Sequence, residues 1–305
     1  MPAIDMSLEQ LQEYKGSMPA PVDFWKHWMS VTSKIDAMQL SYRLVEKRIY
    51  ESHCVYYGFY YQGMDGQEHQ AKYIRPATEE KVPLVLQFPD YNGVSRSWFH
   101  LMRYAGIGCA VLAPDYALSN YEGLSGTIEE LPVHQIYTEA LLLLRIVSVM
   151  NNIDQASIHV YGEGQGAATA LVVGAMNPKI VKTCAMQYPM CCDYKRVWEK
   201  DYDTGAYQGL RDYFRYQDPE HKTEQALFEQ LGYLDAKNFA PYVKAHVLQG
   251  IGLLDEISPP SAQFSIYNNL SCWKQKAIFP KHGHELNNFF ENTYLEFLLT
   301  FGIDK

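Results

Sequence analysis

The amino-acid sequence predicts an α/β protein: a mostly parallel, twisted sheet with helices on both faces and an antiparallel N-terminal part. Two observations carry this. From Val82 onward, short apolar runs alternate with longer segments of helical period, which is the pattern of parallel strands joined by helical crossovers. Ahead of Val82, three stretches rich in Tyr, Val and Ile are separated by turn residues and read as hairpin strands. No internal repeat or long Pro/Gly/Ser linker divides the 305 residues, so one domain is expected, with an N-terminal extension over about 1–80 and a helical insertion over about 193–237.

In chain order, "SYRLVEKRIYES" (41–52), "CVYYGFYY" (54–61) and "HQAKYIRPA" (69–77) supply the antiparallel strands, with "GMDGQ" as a turn between the last two. The buried-strand candidates are "VPLVLQF" (82–88), "GCAVLAPD" (108–115), "SIHVYG" (157–162), "KTCAMQYP" (182–189), "AHVLQG" (245–250) and "QKAIFP" (275–280). Helical segments fall between and after them: "HQIYTEALLLLRIVSVMNN" (134–152), "QGAATALVVGAM" (165–176) and "LNNFFENTYLEFLLTFG" (286–302). The stretch from Asp193 to Lys237 holds many Tyr, Arg and Asp and no clear strand, as a helical insertion or lid would. In a sheet of this kind, function collects in loops at the carboxyl ends of the strands.

A content of 47% hydrophobic and 20% charged residues is that of a soluble globular chain with a sizeable core. The net charge of −9 comes without any basic run, which argues against a nucleic-acid partner. The opening lacks a basic region followed by an apolar stretch, and no window has the length and apolarity of a membrane span. A cytoplasmic protein with no membrane association is therefore expected. Its six cysteines, Cys54, Cys109, Cys184, Cys191, Cys192 and Cys272, form no C-x-x-C pair, so reduced thiols are expected and no metal site is suggested. Cys191 and Cys192, as neighbours on an extended chain, would point to opposite sides.

The stretch "YGEGQGAATAL" (161–171) is a strand end, a glycine-dense turn and a helix start. Read as Gly162-x-Gly164-x-x-Ala167, it satisfies a loose dinucleotide fingerprint. That reading also needs an acidic residue about 20 positions on, at the end of the following strand. That strand ends "AMQYPM", with no carboxylate before Asp193. The competing reading is a nucleophile elbow, G-x-S-x-G, in which Gly162 and Gly166 fit the flanks and Gly164 holds the central place. Downstream, Asp255 in "LQGIGLLDEISPP" and His284 in "IFPKHGHELNN" follow strand candidates in the order nucleophile, acid, histidine. A carboxylate that fixes an imidazole is the orienting half of a Ser-His-Asp device.

Five stretches in order carry a specific resemblance: "DMSLEQLQEYKGSMPAPVDFWKHW", "GEGQGAATAL", "LGYLDAKNFA", "GIGLLDEISPPSAQFSIYNNL" and the terminal "HGHE". The chain resembles the acetyl xylan esterase and cephalosporin C deacetylase family, carbohydrate esterase family 7, from end to end. That resemblance implies an α/β-hydrolase fold, deacetylation of acetylated xylo-oligosaccharides and cephalosporin C, and an intracellular ring-shaped hexamer; no cofactor is expected. It makes Asp255 the triad acid, His284 the base, and the backbone N–H groups of Tyr91 and Gln165 the oxyanion hole.

The sequence departs from the family pattern at three places. Gly164 stands where the family has its serine nucleophile. Pro89-Asp90-Tyr91 stands where it has His-Gly-Tyr, which puts an acidic side chain where an oxyanion would develop and opposes its stabilisation. A third motif, Asp followed by an Arg-Gly-Gln-Gly stretch, survives only as Asp115 in "APDYALSN". The nucleophile of such a turn sits in a backbone region costing about 1–3 kcal/mol, which glycine visits freely. The expectation is a protein that binds a small acetylated sugar or similar ester and is silent or very weak as a serine esterase. Two alternatives are a slow hydrolase in which His284 activates a water in the space left by the hydroxyl, and a non-catalytic binding or regulatory subunit.

Overall fold

A computed structural model describes residues 5–49, 52–91, 94–115 and 124–303. Two helices, α1 (Leu8–Glu13) and α2 (Phe24–Asp36), come first. Ser7 caps α1 with its side chain on Gln10 N, and the Gln10 side chain answers on Ser7 N. The antiparallel part follows as β1 (Tyr42–Glu46), β2 (Cys54–Gln62) and β3 (Glu68–Pro76). β1 is shorter than its sequence run because it is an exposed edge strand, paired only through Tyr42–Glu46. Then come β4 (Val82–Phe88), α3 (Trp98–Leu101), β5 (Ala110–Pro114), α4 (Pro132–Val147) and β6 (Ile153–Glu163). Pro132 opens α4, where its missing N–H costs no helical hydrogen bond.

The chain continues through α5 (Gln165–Met176), β7 (Val181–Gln187), and the short helices α6 (Tyr194–Glu199), α7 (Gln208–Asp212) and α8 (Glu224–Leu231). It closes with β8 (His246–Gly252), α9 (Pro260–Asn269), β9 (Lys274–Phe279) and α10 (Asn288–Phe301). Among the described residues, every strand joins one nine-stranded sheet in the order β1-β2-β3-β5-β4-β6-β7-β8-β9. β1, β2, β3 and β5 pair antiparallel in turn, and the pairings from β5 through β4 to β9 are parallel.

Alternation along the strands feeds two cores. Leu84, Leu86 and Val160 join α2, α4 and α5 on one face, while Val85, Val111 and Tyr161 meet Phe290, Tyr294 and Phe297 of α10 on the other. α5 is buried along its whole length, which explains its uniformly apolar, small-residue sequence. None of the six cysteines is joined to another. Cys191 is left-handed, with φ of 52°, so the Cys191-Cys192 pair lies in a turn and not on an extended chain. Among the described residues, no helix is long and apolar enough to cross a membrane.

The chain order reverses at β4: β5 lies on one side of it and β6 on the other. This is the switch point at which an open α/β sheet leaves a crevice beyond its carboxyl ends. Asp90 follows β4 and Gly164 follows β6, so both stand over that crevice.

Candidate active site

Gly164 is the hinge between β6 and α5, with φ 52° and ψ −116°. A side chain rarely adopts that backbone, and glycine holds it without strain. Hydrogen bonds fix the turn from both sides: Gly164 N donates to Gln187 O at 3.0 Å, and Met190 N donates to Gly164 O at 2.9 Å. The flanking glycines are required by contact. A Cβ on Gly162 would stand 2.0 Å from Gly166 O, and one on Gly166 would stand 2.2 Å from Phe88 O. Close approach of β4, β6 and α5 therefore demands glycine at both places.

Gly164 meets something different. A Cβ there would fall 1.9 Å from Asp90 Oδ1 and 2.4 Å from Asp90 Cγ, so the carboxylate fills the slot that a nucleophile's side chain would use. Asp90 Oδ1 accepts from Tyr91 N at 2.7 Å and from Gln165 N at 3.0 Å. These are the two N–H groups that the family resemblance makes the oxyanion hole. The second lies at the start of α5, where the helix dipole adds to the attraction for an anion. The space expected to admit a water beside His284 is thus taken by a carboxylate.

The acid and base candidates meet as the sequence order suggests. His284 Nδ1 and Asp255 Oδ2 are 2.9 Å apart, with Asp255 fully buried and the His284 side chain 7% exposed. Asp255 is held by four donors: Ile257 N at 2.9 Å and Ser258 N at 2.8 Å on Oδ1, and Gln263 Nε2 at 2.9 Å and His284 on Oδ2. On the other side of the ring, Nε2 lies 3.4 Å from Asp90 Oδ2 in an ion-pair contact without hydrogen-bond geometry. Burial pushes the imidazole pKa down, but the Asp255 hydrogen bond and the Asp90 carboxylate outweigh it and raise it to about 9. His284 is therefore an imidazolium at neutral pH, flanked by two carboxylates. The Tyr188 ring lies 4.4 Å from it, centre to centre.

Beside Asp90 opens a cleft of about 600 Å³, with Arg96, His100, Glu163 and Tyr188 in its wall. Glu163 pairs with Arg96 and accepts from Tyr161 Oη at 3.0 Å. Burial raises its carboxyl pKa, against the opposing pull of Arg96. Burial, helped by Arg103, lowers His100 to about 4, so this ring is neutral. Asp115 accepts from Ser95 N at 3.0 Å and lies 3.6 Å from Lys72, bracing the loop that carries Arg96. The rest of the "APDYALSN" stretch after Asp115 lies outside the described residues, as do Asn92 and Gly93.

Sequence reasoning placed Gly162, Gly164, Gly166, Asp255, His284, Tyr91 and Gln165, and the structure brings all seven to one crevice. It missed Arg96 and Tyr188, and the pairing of Arg96 with Glu163. Their signal was faint, since an Arg far from the elbow pairs with the residue before Gly164 only through the fold.

Comparison with known proteins gives the family and the fold. The acetyl xylan esterase (AXE1) family model matches residues 1–117 and 121–301. The chain belongs to the acetyl xylan esterase family. Among solved structures, it is 33% identical to acetyl xylan esterase 1 from Thermoanaerobacterium sp. JW/SL YS485, with a TM-score of 0.91, over 97% of this chain and 99% of that one. To acetyl xylan esterase from Paenibacillus sp. R4 it is 27% identical, with a TM-score of 0.89, over 97% of this chain and 100% of that one. The acylaminoacyl peptidase of Pyrococcus horikoshii, 15% identical with a TM-score of 0.60 over 90% of this chain and 44% of that one, shares the α/β-hydrolase fold alone. Family membership removes the dinucleotide reading of the glycine turn, whose first helical N–H is in any case given to Asp90.

Proposed function

We propose that this member of the acetyl xylan esterase family binds a small acetylated sugar or similar ester without hydrolysing it as a serine esterase. One observation carries the reading: Asp90 Oδ1 sits on Tyr91 N and Gln165 N, in the space where a residue-164 side chain would stand. An acyl carbonyl seeking those two donors must first displace a carboxylate, and residue 164, a glycine, offers no nucleophile. A ligand in the cleft would meet Asp90, Glu163, Arg96 and the Tyr188 ring. These favour sugar hydroxyls, which donate to carboxylates, and a pyranose face on an aromatic ring. The family's hexamer is carried over as part of this proposal, and light scattering on the purified chain tests it.

A slow hydrolase built on His284 and a water is the weaker reading. A general base must offer a neutral Nε2, and the carboxylates on both sides of His284 favour the imidazolium. The test is acetate release from acetylated xylo-oligosaccharides and an aryl acetate by the wild-type chain and His284→Ala, beside calorimetric binding of the same oligosaccharides. Binding with no acetate release above the buffer rate supports the proposal. Acetate release that disappears in His284→Ala overturns it.

A further inference from the structure

A second polar site lies away from this crevice, where the turn between β2 and β3 packs on α4. Asp65 in the turn, His69 on β3 and Glu139 on α4 offer donor atoms that all lie within 4.8 Å of one another. Asp65 Oδ1 and His69 Nε2 are 3.0 Å apart, and Met64 N donates to Glu139 Oε1 at 2.6 Å. We propose that Asp65, His69 and Glu139 bind a divalent transition cation of the Zn²⁺ class, clamping the β2–β3 turn onto α4.

Three further features support a cation there. Glu139 is 5% exposed, and its Oε2 is buried without a hydrogen-bond partner, a costly state for a carboxylate unless a cation completes it. Tyr61, the cross-strand partner of His69, is 2% exposed, and its Oη is also unpartnered, close enough for Glu139 and Asp65 to act on it electrostatically. Gly63 makes the space: a Cβ there would stand 2.6 Å from His69 Nε2 and 2.8 Å from Asp65 Oδ1.

The donor set selects the cation. One imidazole and two carboxylates suit a borderline ion such as Zn²⁺ better than Ca²⁺, which takes six to eight oxygens. Two carboxylates also neutralise the double charge in a place half shielded from water. The site opens onto a cavity of about 620 Å³ that Asp65, His69 and Glu139 themselves line, so a water or ligand can complete the coordination. That cavity shares no lining residue with the cleft beside Asp90, so this site stands apart from the proposed function.

The test is calorimetric titration of the EDTA-treated full-length chain with ZnCl₂, together with the visible spectrum after Co²⁺ addition. Asp65→Asn and Glu139→Gln serve as variants, and Asp65 is exposed enough that its metal-free melting curve should match wild type. The expected result is one Zn²⁺ per chain, a Kd weakened at least tenfold in each variant, and a Co²⁺ band that both variants lose. Absence of Zn²⁺ binding, or binding with an unchanged Kd in Asp65→Asn, overturns the site. Binding of Ca²⁺ without Zn²⁺ overturns the assigned class of cation.

Discussion

Beyond β8 and β9, both carboxylate oxygens of Asp255 are hydrogen-bonded and the imidazole of His284 is oriented at 2.9 Å. Beyond β4 and β6, the turn has the backbone of a nucleophile elbow but no hydroxyl, and a carboxylate from the neighbouring loop rests on its two N–H groups. One half of the crevice thus holds an oriented acid–imidazole pair, and the other has been refilled. The difference teaches that an oriented acid–imidazole pair does not by itself establish turnover. Under the proposed function, His284 between Asp255 and Asp90 is the central cation of a charge cluster, and its geometry serves packing and charge balance.

The largest effect is expected on removing the better-held partner. Asp255→Ala strips the acceptor from two backbone N–H groups, a glutamine and a buried imidazolium, and is expected to cost about 3–5 kcal/mol in urea denaturation. A loss below about 1 kcal/mol would mean that the cluster is not structural.

The next concerns pH. His284 is raised from its ordinary 6.5 to about 9, so its contribution to stability is full below pH 6.5 and is lost as pH rises through 9. The fall amounts to at most about 3–4 kcal/mol, from 1.36 kcal/mol per pH unit. In Asp90→Asn one flanking charge is gone, so the loss should finish at lower pH, and the imidazole resonances of His284 should titrate below those of wild type. His100 and His134, which burial holds at about 4, titrate beneath this window. Identical curves for the two proteins would detach Asp90 from His284.

A smaller effect sharpens the distinction among the elbow glycines. Gly166→Ala drives a Cβ into Phe88 O and is expected to cost about 1–3 kcal/mol. Gly164→Ala puts a side chain on a backbone at φ 52°, at about 1–3 kcal/mol of strain, and meets the end of the Asp90 side chain, which is 26% exposed and can swing aside, so it should displace Asp90 and leave the contact of α5 with β4 intact. Thermal melts give the two costs, and the imidazole resonances of His284 should move in Gly164→Ala and not in Gly166→Ala.

Much of the fold was legible because its signals are local. Apolar runs such as "VPLVLQF" and the small, uniformly apolar "QGAATALVVGAM" state their burial outright, and glycine spacing marks the turn between β6 and α5. The site was legible in its parts, since chain order and strand ends place Asp255 and His284. What sequence could not state is where side chains from different loops end up. Asp90 reads as an acid near the oxyanion position, but its seat on Tyr91 N and Gln165 N depends on how close β4 and β6 bring their loops. The same holds for Arg96 with Glu163, and for Glu139 with Asp65 and His69, which are far apart in the chain and meet only when α4 packs on the β2–β3 turn.

Asp90 and a residue-164 side chain compete for one space. The direct measurement is acetate release from acetylated xylo-oligosaccharides by wild type, Gly164→Ser, Asp90→Gly and the double variant, each checked by thermal melt. The prediction is no turnover for wild type and Asp90→Gly, little for Gly164→Ser, and clear turnover for the double variant, far beyond the sum of the singles. Equal turnover in Gly164→Ser and the double variant, or acetate release by wild type, would contradict it.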